Sequence, residues 1–172
     1  MALAVLPLQA VAENPVALEY KVKTGYLFNF ANYVEWPAGT LPEPQSPFVI
    51  GVMDGGEALP ILQSLLKGKT VKGHPVQVRA VGAGRVTGLH ILFVSRASGV
   101  SPEKIGAALG GASTLLVGET DRFAESGGMV GFVREGDTIR FQLNLERLTE
   151  AGLKASAKLA SVARLVSNGR AP

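Results

Sequence analysis

The hydrophobic pattern of the chain begins with a long stretch of helical periodicity. Between residues 16 and 35, apolar side chains recur at three- and four-residue spacing, as in an amphipathic α-helix. Pro15 suits the first turn of a helix, and Pro37 ends the pattern. We predict a buried arc on one side of this helix, with Phe28 outside it on the polar side. The predicted arc comprises Val22, Tyr26, Leu27, Phe30, Tyr33 and Val34.

The remaining chain alternates between short apolar runs and helical stretches. Helices are predicted at 57–67 and 102–109, and a proline-rich loop at 38–47. Strands are predicted at 48–53, 75–81, 89–94, 113–117, 128–134 and 138–144, the last two as a hairpin.

The end of the chain shows a second helical stripe. Asn144 is a good helix cap and Gly169 a stop signal, so one long final helix is predicted between them. Its stripe comprises Leu148, Ala151, Gly152, Ala155, Leu159, Val162, Ala163 and Val166. Together the elements predict a single-domain α/β sandwich, with a mixed six-stranded sheet covered by about five helices.

Composition narrows the class of protein. The chain has 172 residues, of which 47% are hydrophobic and 18% charged, so a folded domain with a real core is expected. The net charge of +3 comes from scattered lysines and arginines, which argues against a nucleic-acid partner. The absence of cysteine excludes disulfides and thiolate metal sites.

The first twelve residues, MALAVLPLQAVA, are uncharged and mostly apolar. They end in an Ala-x-Ala pattern typical of a secretory cleavage site, although a basic n-region is missing. We interpret 1–12 as the remnant of a signal peptide and 13–172 as the exported domain, in preference to a plain apolar arm. This places the protein outside the cytoplasm.

Few residues are candidates for catalysis or metal binding. His74 and His90 have no second ligand at metal-binding spacing, so no metal or cofactor is predicted. Glu119 and Asp121 follow a strand, but nothing ionisable joins them, and a helix cap is the simpler explanation. No set of residues predicts catalysis, and a binding protein is expected.

Two stretches are candidate ligand or partner sites. Asp54, Gly55 and Gly56 end a strand and enter a helix, where backbone N–H groups can hold an anion, although such turns often hold no ligand. Arg147, Lys154 and Lys158 fall in a narrow arc of the predicted final helix. They suit an acidic partner or lipid head groups, although the simpler interpretation is a helix face exposed to solvent.

Three groups of motifs resemble the YfiR family of periplasmic regulators. The first joins Tyr20-Lys-Val-Lys23 to Tyr26-Leu-Phe-Asn-Phe30 and Val34-Glu-Trp-Pro37, and the second is His90-Ile-Leu-Phe-Val-Ser95. The third runs from Val117-Gly-Glu119 through Gly127-Gly-Met129 and Phe141-x-Leu-Asn144 to Ala151-Gly-Leu-Lys154.

The resemblance implies regulation by protein contact. YfiR-type proteins bind the periplasmic part of the inner-membrane diguanylate cyclase YfiN and keep it inactive. Release, which involves the outer-membrane lipoprotein YfiB, raises cyclic di-GMP and favours biofilm, and dimers are usual. The best-known members have disulfides, whereas this chain has no cysteine, which leaves open whether its receptor is a YfiN orthologue.

Phe28 is the leading candidate anchor for such a partner, because it is an aromatic residue on a polar helix side. The alternative is that loop 38–47 covers it. Trp36, at the helix end, and Met129, in the Gly127–Met129 turn, are further candidates. The competing hypothesis is a periplasmic binder of a small anion, such as a nucleotide or a cell-wall fragment.

Overall fold

The computed structural model describes residues 12–169, and almost all of the predicted leader remnant, 1–12, lies outside them. One eight-stranded sheet forms the centre of the domain. The helices are α1 (Pro15–Tyr33), α2 (Ala58–Leu66), α3 (Pro102–Leu109), α4 (Leu145–Glu150) and α5 (Ala157–Val162). The strands are β1 (Val34–Glu35), β2 (Phe48–Met53), β3 (Thr70–Val71), β4 (His74–Val81), β5 (Ile91–Val94), β6 (Leu115–Gly118), β7 (Val130–Glu135), β8 (Thr138–Asn144), β9 (Lys154–Ala155) and β10 (Arg164–Val166).

The sheet is mixed, and its strand order is β10-β8-β7-β6-β5-β2-β4-β3. Neighbours from β4 through β7 run parallel, whereas β8 is antiparallel to β7 and β3 to β4. The step from β2 to β4 and the step from β5 to β6 proceed in opposite directions along the sheet. Right-handed crossovers therefore place α2 and α3 on opposite faces. The predicted α/β sandwich is confirmed, although the sheet has more strands than the six predicted.

Each of the six predicted strands is present. β2, β5 and β6 are buried along their whole length, as expected for central parallel strands covered on both faces. The additional strands β3 and β10 are only two and three residues long. β1 and β9 pair with each other outside the main sheet. Such short segments show no period in the sequence, which is why the pattern did not predict them.

α1 begins and ends where the sequence predicted within two residues. Asn14 caps it by accepting from the Val16 N–H at 3.0 Å, and Pro15 occupies the first turn. Its buried face is turned towards Leu27 and Ala31 compared with the predicted arc. Val22, predicted to be buried, is 42% exposed. Phe28 borders the buried face and is half-buried, packed against the core.

The prediction of one long final helix was wrong. α4 ends at Glu150 in a Schellman motif, in which Leu153 N–H donates to Leu148 O at 2.8 Å and Gly152 N–H to Thr149 O at 2.9 Å. Gly152 adopts φ +72°, the left-handed conformation that glycine tolerates best. Ser156 then caps a separate helix, α5, by accepting from Leu159 N–H. Gly152 therefore ends a helix and does not line one.

Glycine also permits the tightest packing in the core. The ring of Phe123 lies between Gly118 and Gly128, where an added Cβ would come within 2.2 Å and 2.3 Å of ring atoms. In contrast, a Cβ at Gly25 of α1 would meet nothing within 4 Å. One added methyl group should therefore have opposite effects on the stability of the fold at Gly118 and at Gly25.

We expect Gly118→Ala to lower the free energy of unfolding by about 1–3 kcal/mol, because the methyl group must displace a buried ring. Gly25→Ala, the matched control, should raise it by about 0.5–1 kcal/mol, since alanine favours an exposed helix position. Urea unfolding followed by circular dichroism measures both. Equal effects of the two substitutions would contradict the packing described for Phe123.

Candidate partner-binding site

A buried ion pair joins α1 to the carboxyl edge of the sheet. Glu119, directly after β6, is 3% exposed, and Lys23 of α1 is 2% exposed. The Lys23 ammonium donates to one carboxylate oxygen of Glu119. The other oxygen accepts from the Tyr20 hydroxyl at 3.1 Å and from the Arg96 backbone N–H at 2.8 Å. Both carboxylate oxygens are thus satisfied, which a buried ion pair requires to be stable.

Further charges connect this pair to the surface. Lys23 also contacts Glu19, and Glu19 accepts from Arg134 at 3.3 Å. The Arg96 guanidinium donates to the backbone carbonyl of Glu119 at 2.8 Å. Burial and the neighbouring Glu119 carboxylate raise the pKa of Tyr20, so its hydroxyl remains a neutral donor at physiological pH.

Asp54, Gly55 and Gly56 lie at the same edge, after β2, where open α/β sheets commonly bind ligands. The Asp54 carbonyl accepts from the Ser95 hydroxyl. A Cβ at Gly55 would lie 2.4 Å from Val52 Cγ1, so packing alone requires glycine there. Backbone geometry and packing account for this turn, and its role as an anion site stays a prediction.

Two predicted anchors, Phe28 and Trp36, are half-buried and packed against the core. The Trp36 ring meets Phe48 edge-on, with centroids 5.1 Å apart, and lies 6.5 Å from the ring of His90. These rings contribute to the fold whether or not a partner touches them. Their role as partner contacts stays a prediction.

The structure brings Met129 and Arg147 together. Both line a cavity of about 360 Å³ between α3 and α4. Met129 is 8% exposed and forms part of its wall. The Arg147 guanidinium is engaged within the chain, with Glu150 at 2.9 Å and the Asn168 side chain at 3.1 Å. The Arg147 guanidinium is therefore less available to an acidic partner than the sequence suggested.

The three predicted basic residues lie on three different elements, because the predicted helix is broken. Arg147 belongs to α4, Lys154 to β9, where it is the register partner of Glu35, and Lys158 to α5. They do not form one helix face. Of the three, Lys158 lies at an apolar groove.

The α1–α5 groove is a cleft of about 260 Å³ between these two helices. Phe30, Phe141 and Leu159 lie in it and are each at most 3% exposed, which gives it an apolar floor. The Lys158 ammonium lies at its side, 4.9 Å from the Tyr33 ring centroid and 3.1 Å from the Tyr33 hydroxyl oxygen. The groove is lined by Tyr26, Asn29, Phe30, Tyr33, Phe141, Lys158, Leu159 and Val162.

Exposed apolar side chains continue from this groove towards the sheet edge. Val162 is 66% exposed and Leu165, on the end strand β10, is 54% exposed. Leu165 is the register partner of Leu143, so it points to the same face of the sheet as Phe141, two residues away on β8. The groove, Val162 and Leu165 form one apolar surface with Lys158 at its side.

The comparisons with known proteins identify the family. A family model described as YfiR/HmsC-like matches residues 20–164. This chain belongs to the YfiR/HmsC-like family. A search of curated proteins finds no match.

The YfiR/HmsC-like family is a family of periplasmic, non-catalytic regulators linked to cyclic di-GMP, and membership indicates a regulatory role for this chain. Within residues 12–169, no helix is both long enough and apolar enough to cross a bilayer. The matched region includes Lys23, Glu119 and every residue of the α1–α5 groove.

Sequence reasoning missed the Lys23–Glu119 pair. Lys23 precedes Leu27, Phe30 and Val34 by four, seven and eleven residues, so it lies on the buried stripe of α1. A cation on an apolar stripe indicates a buried counter-charge, and that signal was present in the sequence. Which carboxylate supplies the counter-charge depends on the sheet order, which the sequence does not give.

We expect Lys23→Met to lower the free energy of unfolding by about 3–5 kcal/mol, because it leaves the Glu119 carboxylate buried without a counter-charge. Adding Glu119→Leu to Lys23→Met should restore most of the loss. Lys21→Met, which removes the exposed Lys21–Glu13 pair, is the control and should change it by less than about 1 kcal/mol. Urea unfolding of the unaltered protein, Lys23→Met, Glu119→Leu and the double variant measures the coupling, and additive losses would contradict a mutually dependent pair.

The burial of His90 makes the stability of the fold depend on pH. Its Nδ1 accepts from the Val49 N–H at 2.9 Å, and burial lowers its pKa below the ordinary value of 6.5. The unfolded chain therefore binds this proton more readily than the folded one. The stability that neutral His90 contributes is complete above pH 6.5 and is lost as the pH falls through the lower folded pKa.

We expect the unfolding free energy to fall between pH 7.5 and 5, by at most about 1.4 kcal/mol per pH unit for this one proton. His90→Gln should flatten that part of the profile, whereas His74→Gln should keep it. Urea titrations at a series of pH values test this. A profile that His90→Gln leaves unchanged would assign the pH dependence to other groups.

Proposed function

We propose that this protein binds the periplasmic domain of an inner-membrane diguanylate cyclase of the YfiN type and holds it inactive. The result is lower cyclic di-GMP and less biofilm. An outer-membrane lipoprotein of the YfiB type that competes for the repressor would release the cyclase, and the repressor acts as a homodimer. Family membership supports the regulatory part of this proposal.

The apolar surface formed by the α1–α5 groove, Val162 and Leu165 is the observation that best supports a docking role. Val162 and Leu165 are more than half exposed, although aliphatic side chains of this size stabilise a fold by entering its core. A contiguous exposed apolar patch beside a polar rim is typical of a protein-binding surface. We propose that the periplasmic domain of the cyclase docks on this surface.

The chemistry of the surface defines what it accepts. Phe30, Phe141 and Leu159 offer an apolar floor, and the Lys158 ammonium pairs with no carboxylate within residues 12–169. The surface therefore suits an aliphatic or aromatic side chain of the partner with a carboxylate beside it. Phe28, Trp36, Met129, Arg147 and Lys154 remain proposed secondary contacts.

The apolar burial that this surface offers is comparable in gross free energy with what repression requires. Moving a two-state cyclase from 99% active to 99% inactive takes about 5.5 kcal/mol of differential affinity. Covering the exposed parts of Val162 and Leu165 contributes about 1–2 kcal/mol each, and a partner side chain buried in the groove about 1.5–3 kcal/mol. These contributions are of the required size without any covalent chemistry.

We expect Val162→Asp to weaken capture of the cyclase's periplasmic domain by at least about 30-fold, because it places a charge at the centre of the contact. Leu65→Asp is the matched control, since Leu65 is 41% exposed but lies on α2. Biolayer interferometry with the purified periplasmic domain gives the affinity, and circular dichroism verifies that both variants fold.

Undiminished capture by Val162→Asp, together with loss of capture by Leu65→Asp, would move the docking surface to α2. Absence of capture by the unaltered protein would reject the cyclase as partner. In a strain that contains the cyclase, Val162→Asp should raise cyclic di-GMP to the level of a strain that lacks the repressor.

A further inference from the structure

A second cavity lies at the opposite, amino-terminal edge of the parallel strands. It is an open cleft of about 620 Å³, which is within the size range of small-molecule sites. Loop 38–47 forms one wall, and the residues that precede β5 and β6 form the other. It shares no lining residue with the α1–α5 groove. Any ligand here is therefore independent of the partner surface proposed above.

His90 presents a directed hydrogen-bond donor to this cavity. The Val49 backbone N–H donates to Nδ1 at 2.9 Å, so Nδ1 is unprotonated and the ring proton sits on Nε2. Stacking on Phe48, with centroids 4.7 Å apart, fixes the ring plane. Nε2 reaches only the Thr40 carbonyl, at 3.4 Å, which is long for an N–H···O bond. The donor is thus oriented but poorly satisfied.

A second donor in the same aromatic cluster has no acceptor at all. Trp36 Nε1 is buried and has no hydrogen-bond partner among residues 12–169. The ring of Trp36 lies 6.5 Å from that of His90. Trp36 does not line the cavity, so its Nε1 is not part of the site. Buried donors in folded proteins nearly always have a well-placed acceptor, so the long contact of His90 Nε2 points to a better acceptor supplied from outside the chain.

The charge of the cavity limits what that acceptor can be. Apart from His90, which is neutral, no residue that lines the cavity in the described part of the chain is ionisable. The hydroxyls of Thr40, Ser113 and Thr114 already donate to backbone carbonyls of the chain. A charged ligand would lose its hydration without gaining a counter-charge. Leu41, Val49 and Leu89 offer apolar contact instead.

We propose that the cavity behind loop 38–47 binds a small uncharged molecule with a carbonyl oxygen beside an apolar group. The carbonyl oxygen accepts from His90 Nε2–H, and the apolar group packs against Leu41, Val49 and Leu89. The site differs from the anion site considered at Asp54–Gly56, both in its edge of the sheet and in the charge of its ligand.

Two neutral probes test the proposal, cyclo(Leu-Pro) and N-acetylleucine methylamide, with the zwitterionic dipeptide Leu-Pro as the matched charged control. Each is titrated into the ¹⁵N-labelled protein to about 5 mM, where a ligand with a Kd of about 1 mM is mostly bound. We expect saturable shifts of amides in 38–49 and 88–91 and of the His90 Nε2 resonance with at least one neutral probe, and none with Leu-Pro.

Ala38→Trp tests the location, because exposed Ala38 lines the cavity and a large ring there would fill it. Ala83→Trp, in an exposed turn outside the cavity lining, is the control. Shifts that disappear in Ala38→Trp and persist in Ala83→Trp support the site. Binding of Leu-Pro as strong as that of the neutral probes, shifts that survive Ala38→Trp, or no shift with either neutral probe would overturn the proposal.

Discussion

Two opposite charges almost wholly removed from water, Lys23 and Glu119, hold the first half of α1 on the sheet. Such a pair is stable only while both side chains keep their remaining hydrogen bonds, because an unpaired buried charge costs several kcal/mol. Tyr20 and the Arg96 N–H provide those bonds. The position of α1 is therefore fixed at one end by charge, and at the other by the packing of Leu27, Phe30 and Val34.

The position of α1 determines both surfaces that concern function. Tyr26 and Tyr33 form one wall of the α1–α5 groove, so the groove exists only while α1 lies on β8. Trp36, just after α1, packs on Phe48 and reaches His90 at the other edge of the sheet. A rigid scaffold of this kind suits a protein that works by presenting a preformed surface, since little ordering entropy is lost on binding.

Most of the architecture could be predicted from periodicity. Alternating positions predict β4 and β8, continuous apolar runs predict β2, β5 and β6, and helical spacing predicts α1, α2 and α3. The structure confirms these elements, together with β7 as the hairpin partner of β8. The final helix was wrong because its apolar positions keep a helical spacing through Gly152, whose left-handed backbone ends α4. Gly152 and Ser156 are both boundary residues, but a continuous stripe outweighed them in the prediction.

The candidate site was harder to predict, since it depends on contacts between distant segments. Lys158 was predicted from charge on a helix that does not exist, yet it lies beside an apolar groove formed with α1. Val162 was predicted to be core and is 66% exposed. Exposure at such a position depends on which element packs above it, and the sheet order that decides this cannot be obtained from one sequence.

Hydrogen–deuterium exchange of the protein alone and in complex with the cyclase's periplasmic domain locates the docking surface, because it maps protection without altering a residue. We expect binding to slow exchange in 157–166 and in the second half of α1, and to leave exchange in α2 and α3 unchanged. Protection confined to α2 or α3, with 157–166 exchanging as in the free protein, would contradict it.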